Sequence, residues 1–193
     1  SGGDGGTLNE TESYDGTSWS AGGNLLKASA SSAGCGTSDD ALSFGGSGHP
    51  NFGEITPCTH YNGTSWSPGG DPITHTNAGA GCGTSTSALS FGGYGPRNET
   101  EHYNGTSWSA GGDLNYSHLS AAGCGATDAA FCFGEGEFTE HYDGASWSVG
   151  AALSPKQGAK GAGTTTSALS FGGYGGFANA PTRSTEEYVE GIR

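Results

Sequence analysis

Methionine is absent from this 193-residue chain and basic residues are few: 6 Lys plus Arg stand against 19 Asp plus Glu, a formal charge of −13. An acidic surface lacks the cations that win affinity from phosphate backbones by displacing counterions, which argues against a nucleic-acid partner. The same sign argues against docking on anionic lipid. No apolar run approaches the roughly 20 residues of a membrane span, so no membrane insertion is expected. With no initiator methionine and no basic-then-apolar leader, the chain reads as processed or excised from a precursor. Apolar residues reach only 32 %, while Gly and Pro number 39 and 7, a composition that would permit disorder. Against disorder stand 4 Trp, 8 Tyr and 8 Phe, if they fall at ordered intervals.

They do. Tyr14-Asp15-Gly16-Thr17-Ser18-Trp19-Ser20 recurs from Tyr61, from Tyr103 and, with Ala145 for Thr, from Tyr142. Ala41-Leu42-Ser43-Phe44-Gly45-Gly46 recurs from Ala88 and Ala168, with Ala130-Phe131-Cys132-Phe133-Gly134 as its degenerate copy. Between these blocks lies Gly-Cys-Gly at 34–36, 81–83 and 123–125, replaced by Gly-Ala-Gly at 161–163. Tyr to Trp is always 5 residues, Trp to the Cys station 15 or 16, and that station to Phe always 9. From Phe to the next Tyr the spacing is 17, 12, 9 and 17. Three constant separations and one free one describe a folded repeat with a variable loop.

Each repeat predicts four short antiparallel strands. Asp-Gly or Asn-Gly between aromatic runs signals a hairpin with a type I′ turn, in which both central residues take positive φ. The Gly-Cys-Gly and Ala-Leu-Ser-Phe segments form a second hairpin around a polar turn. Repeats of roughly 40–50 residues with four strands match a β-propeller blade. One domain over 1–193 follows, all-β, with repeats at about 14–60, 61–102, 103–141 and 142–187. The structural stations are Tyr14, Tyr61, Tyr103, Tyr142 and Tyr188; Trp19, Trp66, Trp108 and Trp147; and Phe44, Phe91, Phe133 and Phe171. Neighbouring blades must cover one another's rings, since so little other apolar surface exists. Five Tyr strands meet four Trp strands. Either overlapping ends lock a small ring, with the strand at 184–193 or the Trp19 strand completing the last blade, or a longer array has been cut.

The pattern resembles the kelch repeat, and more closely a kelch-like subgroup in marine bacteriophage and metagenomic tail and structural proteins. There E-x-Y-N-G-T-S-W, a-G-C-G-T and A-L-x-F-G-G recur in tandem, as in Glu101–Trp108, Ala80–Thr84 and Ala88–Gly93. The resemblance covers the whole chain, but the Arg that precedes the first strand in animal kelch repeats is missing. It implies a propeller in a virion appendage, extracellular, contacting other virion subunits. The hairpin superficially resembles the sialidase Asp-box, yet it is one residue short between acid and glycine, so sialidase activity does not carry over.

In an up-and-down blade alternate connections share a face. The Asp/Asn-Gly turns and the polar turns at 37–40 and 84–87 are tight and nearly invariant. The connections after Trp and after Gly-Gly share the opposite face, and the latter vary in length at about 47–57, 94–98, 135–137 and 174–183. They carry His49, Phe52, Tyr94, Arg97, Phe177 and Arg183 amid Gly and Ser. Loops of unequal length on a fixed scaffold are where recognition resides, so these are the candidate binding residues.

Other residue types are better explained by structure. Cys35, Cys82 and Cys124 occupy one station in separate blades, parted by the central channel, and suit small buried positions better than a zinc site. Cys124 and Cys132 flank a hairpin, where the spacing allows a cross-strand disulfide. His60, His102 and His141 precede the repeat Tyr where Ser13 and Glu187 also stand, which predicts a solvent-facing station. The acidic pairs Asp39–Asp40, Glu135–Glu137 and Glu186–Glu187 read as turn or edge residues. Asp71 and Asp113 lack the dense oxygen spacing of a calcium loop. No phosphate loop, dinucleotide fingerprint or nucleophile elbow is present, and no cofactor is expected.

The expectation is a non-enzymatic structural or receptor-binding propeller of phage tail or tail-fibre type, self-associating and meeting a host-surface glycan or protein. A secreted or cell-surface propeller lectin is the alternative, and a propeller enzyme of galactose-oxidase or sialidase kind a third.

Overall fold

The computed structural model describes residues 8–48, 57–74, 77–95, 97–175, 180–181 and 183–189. Strand follows strand throughout. β1 (Glu12–Tyr14) and β2 (Trp19–Ala21) form a hairpin. β3 (Ala33–Gly36), β4 (Ala41–Phe44), β5 (Thr59–Tyr61) and β6 (Trp66–Pro68) form sheet I. β7 (Ala80–Gly83), β8 (Ala88–Phe91), β9 (Thr100–Tyr103) and β10 (Trp108–Ala110) form sheet II. Next come β11 (Ala122–Ala126), β12 (Ala129–Phe133), β13 (Glu135–Gly136), β14 (Glu140–Tyr142) and β15 (Trp147–Val149), of which all but β13 make sheet III. β16 (Lys156–Gln157), β17 (Lys160–Gly163), β18 (Ser167–Phe171), β19 (Tyr174–Gly175), β20 (Ala180–Pro181) and β21 (Thr185–Val189) complete the chain. Sheet IV is β17–β18–β21, while β13, β16, β19 and β20 make a small sheet built from loops.

The protein is therefore all-β, with antiparallel pairing throughout and four strands in each complete repeat sheet. Sheets I to III each start at the Gly-Cys-Gly strand and end at the Trp strand, so Tyr-to-Tyr counting cuts across sheets. β2 pairs with β1, and sheet IV has no Trp strand among the described residues. The first strands lie side by side in chain order: β3 contacts β7, β7 contacts β11 and β11 contacts β17.

The hairpins form as expected, but their turn does not. Tyr14 pairs with Trp19, leaving four residues in the loop, closed by Asp15 N–H donating to Ser18 O at 3.2 Å. The glycine alone takes positive φ, from +87° to +96° in the four copies. Asp15 Oδ1 accepts the amides of Thr17 and Ser18 at 2.7 and 2.8 Å, and Asn62, Asn104 and Asp143 do the same. The side chain thus caps the turn by an Asx arrangement instead of adopting φ > 0 itself.

A second backbone feature recurs where each crossing loop enters the next sheet. Ser31, Ala78 and Ser120 take φ of 56°, 55° and 58°, and Gly158 stands at the same station with 64°. Three non-glycine residues in the left-handed region, each costing about 1 kcal/mol or more, show that packing overrides local preference there.

Sheet packing is a knob and socket. A Cβ on Gly81 would lie 2.4 Å from Phe44 Cζ, one on Gly123 2.4 Å from Phe91 Cζ, and one on Gly161 2.1 Å from Phe133 Cζ. These glycines exist to admit a phenyl ring from the preceding sheet. Phe44 then meets Trp108 at 4.8 Å between centroids, and Phe91 meets Trp147 at 4.9 Å. Phe44, Phe91 and Phe133 are fully buried, each contributing about 1.5–3 kcal/mol.

Candidate functional site

The two ends of the strands build different surfaces. At one end the Asx turns lean on the short polar turns of the same sheet: a Cβ on Gly63 would lie 3.3 Å from Asp39 O, and one on Gly105 3.2 Å from Thr86 O. This side is regular and tied down by backbone contact.

At the other end the loops after Gly-Gly are laced to the loops after Trp. Gly93 N–H donates to His118 O at 3.0 Å, Leu114 N–H to Asn98 O at 2.8 Å and Leu153 N–H to Glu137 O at 3.0 Å. Buried carboxylates anchor the lacing. Glu140, fully buried in β14, accepts the amides of Asn115 and Tyr116 at 2.8 and 3.0 Å, the Asn115 side chain at 2.8 Å and His118 Nε2 at 3.2 Å. Glu101 in β9 accepts Ile73 and Thr74 amides at 2.8 and 2.7 Å and the Thr74 hydroxyl. Glu186 in β21 accepts Ser154 N–H at 2.9 Å. Each carboxylate clamps the loop that brings the chain from the preceding sheet. Glu186 does stand on the outer described strand of sheet IV, and the Glu of the Glu-x-Tyr motif gains a function there as a clamp.

On this anchored floor stand exposed rings. Tyr94 is 68 % exposed in the β8–β9 loop. Tyr116 and Phe138, brought from loops of adjoining sheets, stack at 4.5 Å and 24° with both rings partly open. Ile73 and Leu119, in loops after the Trp strands, and Tyr174, in β19 after Gly-Gly, are exposed as well. Glu135 accepts Leu119 N–H, and β13 pairs with β16, which pairs with β19. Arg97 shares the β8–β9 loop with Tyr94 and pairs with Glu99 at 3.4 Å. Arg183 is exposed just before β21, in sheet IV, two sheets away from them. His49, Phe52 and Phe177 lie outside the described residues. Tyr116 and Phe138 were missed because one lies in a post-Trp loop and the other beside a three-residue variable segment; only their exposure in the fold joins them.

No protein-family model matches the chain, and no curated protein does.

The side chains first read as bland prove to be junction parts. His60 Nε2 lies 2.6 Å from the Tyr103 hydroxyl and His102 Nε2 2.7 Å from that of Tyr142, while His141 packs on Tyr188 at 5.3 Å. The station is half-buried against the next sheet, not solvent-facing, and burial pushes His102 below the usual histidine value of 6.5. The cysteines are not parted by a channel. Cys35 Sγ donates to Thr84 O at 3.3 Å, Cys82 to Ala126 O and Cys124 to Thr164 O at 3.7 Å, one first strand to the next. Desolvation pushes the Cys35 and Cys82 thiols up to about 12 and those of Cys58 and Cys124 to about 11. All five are free. Cys124 faces Phe131 and Cys132 faces Gly123; offset by one residue, the two thiols point to opposite sides of sheet III and form no disulfide. Cys132 takes the station of Ser90 and Ser170, whose buried hydroxyls find no partner.

Proposed function

We propose that the chain is a non-enzymatic β-propeller module of a virion appendage, of phage tail or tail-fibre type, that presents its loop face to a host-surface glycan or protein. Successive four-stranded sheets stacked through their first strands support the propeller reading, and the kelch-like motifs supply the virion context. The observation that carries the binding reading is the contrast between the two sides: capped, near-identical turns on one, and unequal loops bearing Tyr94, Tyr116, Phe138 and Tyr174 on a floor anchored by buried carboxylates on the other. Exposed rings on rigid loops give contact area at little entropic cost, suited to sugar faces or to a protein patch. Buried, protonated thiols resist oxidation, which suits an extracellular particle. Self-association, with copies of itself or other appendage subunits, belongs to the same reading.

The exposed rings equally favour a secreted or cell-surface lectin. Binding of the purified chain to a glycan array and to host cells tests the loop face: Tyr94→Ala and Tyr116→Ala should each weaken binding at least tenfold. Binding that survives both, or that is lost only on turn-side substitutions, would overturn it. Recovery of the chain in purified particles, as against culture supernatant, separates appendage from lectin.

A further inference from the structure

The knob-and-socket junction repeats inside the chain with one socket empty and one knob bare. Gly34 of β3 stands where Gly81, Gly123 and Gly161 stand, yet among the described residues a Cβ on it would meet only its own sheet, Leu42 O at 3.0 Å. Like those three, Gly34 has no left-handed φ to explain it. At the far end Phe171, at the station of Phe44, Phe91 and Phe133, is 40 % exposed, and Leu169 beside it 42 %. We propose that the chain associates head to tail, with Phe171 of one copy seated over Gly34 of a second copy. This deepens, and rests on, the self-association put forward above.

The surroundings match. Inside the chain each buried Phe of sheets I and II stacks on the Trp of the next sheet; the Trp beside Gly34 is Trp66, only half-buried where Trp108 and Trp147 are buried. Among the described residues sheet IV has no Trp strand, and hairpin β1–β2 is a Tyr strand and a Trp strand with no inner pair. Each holds what the other lacks. β1 and β21 are both Tyr strands and claim one place beside β18. β21 holds it with five paired residues, so β1 is the strand released. β2 then exchanges Tyr14 for Tyr188 of the second copy, a like-for-like trade of one Tyr–Trp pair. Trp19, 67 % exposed in the single chain, is buried by the exchange. Ala162 stands where the other sheets have a thiol that donates to the next first strand, so the new junction has one hydrogen bond fewer and is reversible. Knob and socket lie at opposite ends, which makes the contact heterologous and leads to a ring or an open chain of copies.

Sedimentation equilibrium over a range of concentrations tests this. The 193-residue chain should show a mass rising above 19.2 kDa, with Trp19 emission shifting to the blue as it does; Trp19→Phe identifies that signal. Phe171→Ser and Gly34→Val should each weaken association at least tenfold while circular dichroism stays unchanged, since both positions are exposed. Mixed in equal amounts they should form a species of two chains and nothing larger, because each keeps one intact face. A single-chain mass at every concentration, including one from a ring closed within a chain, overturns the proposal and the self-association reading with it. An oligomer indifferent to both substitutions, with Trp19 emission unchanged on dilution, overturns the proposal alone.

Discussion

The middle of the chain and its two ends are made of the same motifs and behave differently. Between sheets II and III, Phe91 is fully buried, Gly123 receives it, Trp147 stacks on it and Cys82 bonds across. At the ends, the same residue types stand open: Tyr14 and Trp19 at one, Leu169 and Phe171 at the other. Sequence is held nearly constant in this comparison while burial goes from complete to partial. The contribution of a ring therefore depends on having a neighbour sheet, and the repeat has no intrinsic core. Junction energies then add from sheet to sheet, as in repeat proteins whose units contact only their neighbours.

The strongest way to break the comparison is to remove the ring at both places. Phe91→Ala should cost about 3–5 kcal/mol, the range for a buried aromatic truncation, whereas Phe171→Ala should cost less than about 1 kcal/mol at concentrations where the chain is single. Urea denaturation followed by near-ultraviolet circular dichroism reads both. Equal costs would mean that Phe171 is covered in solution by something of comparable extent.

A sharper comparison concerns the carboxylate clamps. Glu140→Ala strips acceptors from the Asn115 and Tyr116 amides and leaves His118 beside a void; unsatisfied groups of that kind cost about 1–3 kcal/mol each. Glu12 occupies the same station in the exposed hairpin, and Glu12→Ala should change stability by less than about 0.5 kcal/mol. Hydrogen exchange at Asn115 and Tyr116 should quicken only in the first variant, since a merely destabilised chain would quicken everywhere.

The smallest expected effect is a pH dependence. Burial lowers His102 below the ordinary value of 6.5, so below that pH the unfolded chain binds the proton that the folded one refuses. Stability is then full above about pH 6.5 and declines as pH falls through the window beneath it. Because the ring is only half-buried, solvent screening holds this to less than about 1 kcal/mol. His102→Gln should flatten the fall in melting temperature between pH 7 and 5; an unchanged slope would place the titration elsewhere.

The histidine station shows why some of this was hard to read. His60, His102 and His141 each meet the Tyr of a following sheet, and Glu187 fills the station in sheet IV, where no further Tyr strand follows among the described residues. Scanned along the chain, Glu187 looked like tolerance for solvent; laid out by sheet, it stands where no following Tyr is described, while nothing in the structure explains Ser13 at that station. The Tyr116–Phe138 pair was illegible for a related reason: its members come from loops of different repeats whose lengths vary, so no spacing connects them. Tyr94 and Arg97, by contrast, were legible because a short variable loop between two fixed strands has nowhere else to go.

Strand identity, hairpin pairing and the need for mutual covering of aromatic rings were determined by the sequence alone, because they depend on period-two alternation, on Gly and Asx at turns, and on a shortage of other apolar groups. Tertiary structure decided which glycine receives which ring, which carboxylate clamps which crossing loop, and that the thiols face backbone carbonyls and not one another. Those outcomes turn on a one-residue register and on which sheet comes next, and both are settled only when sheets stack, since a single strand offset carries a side chain to the opposite face.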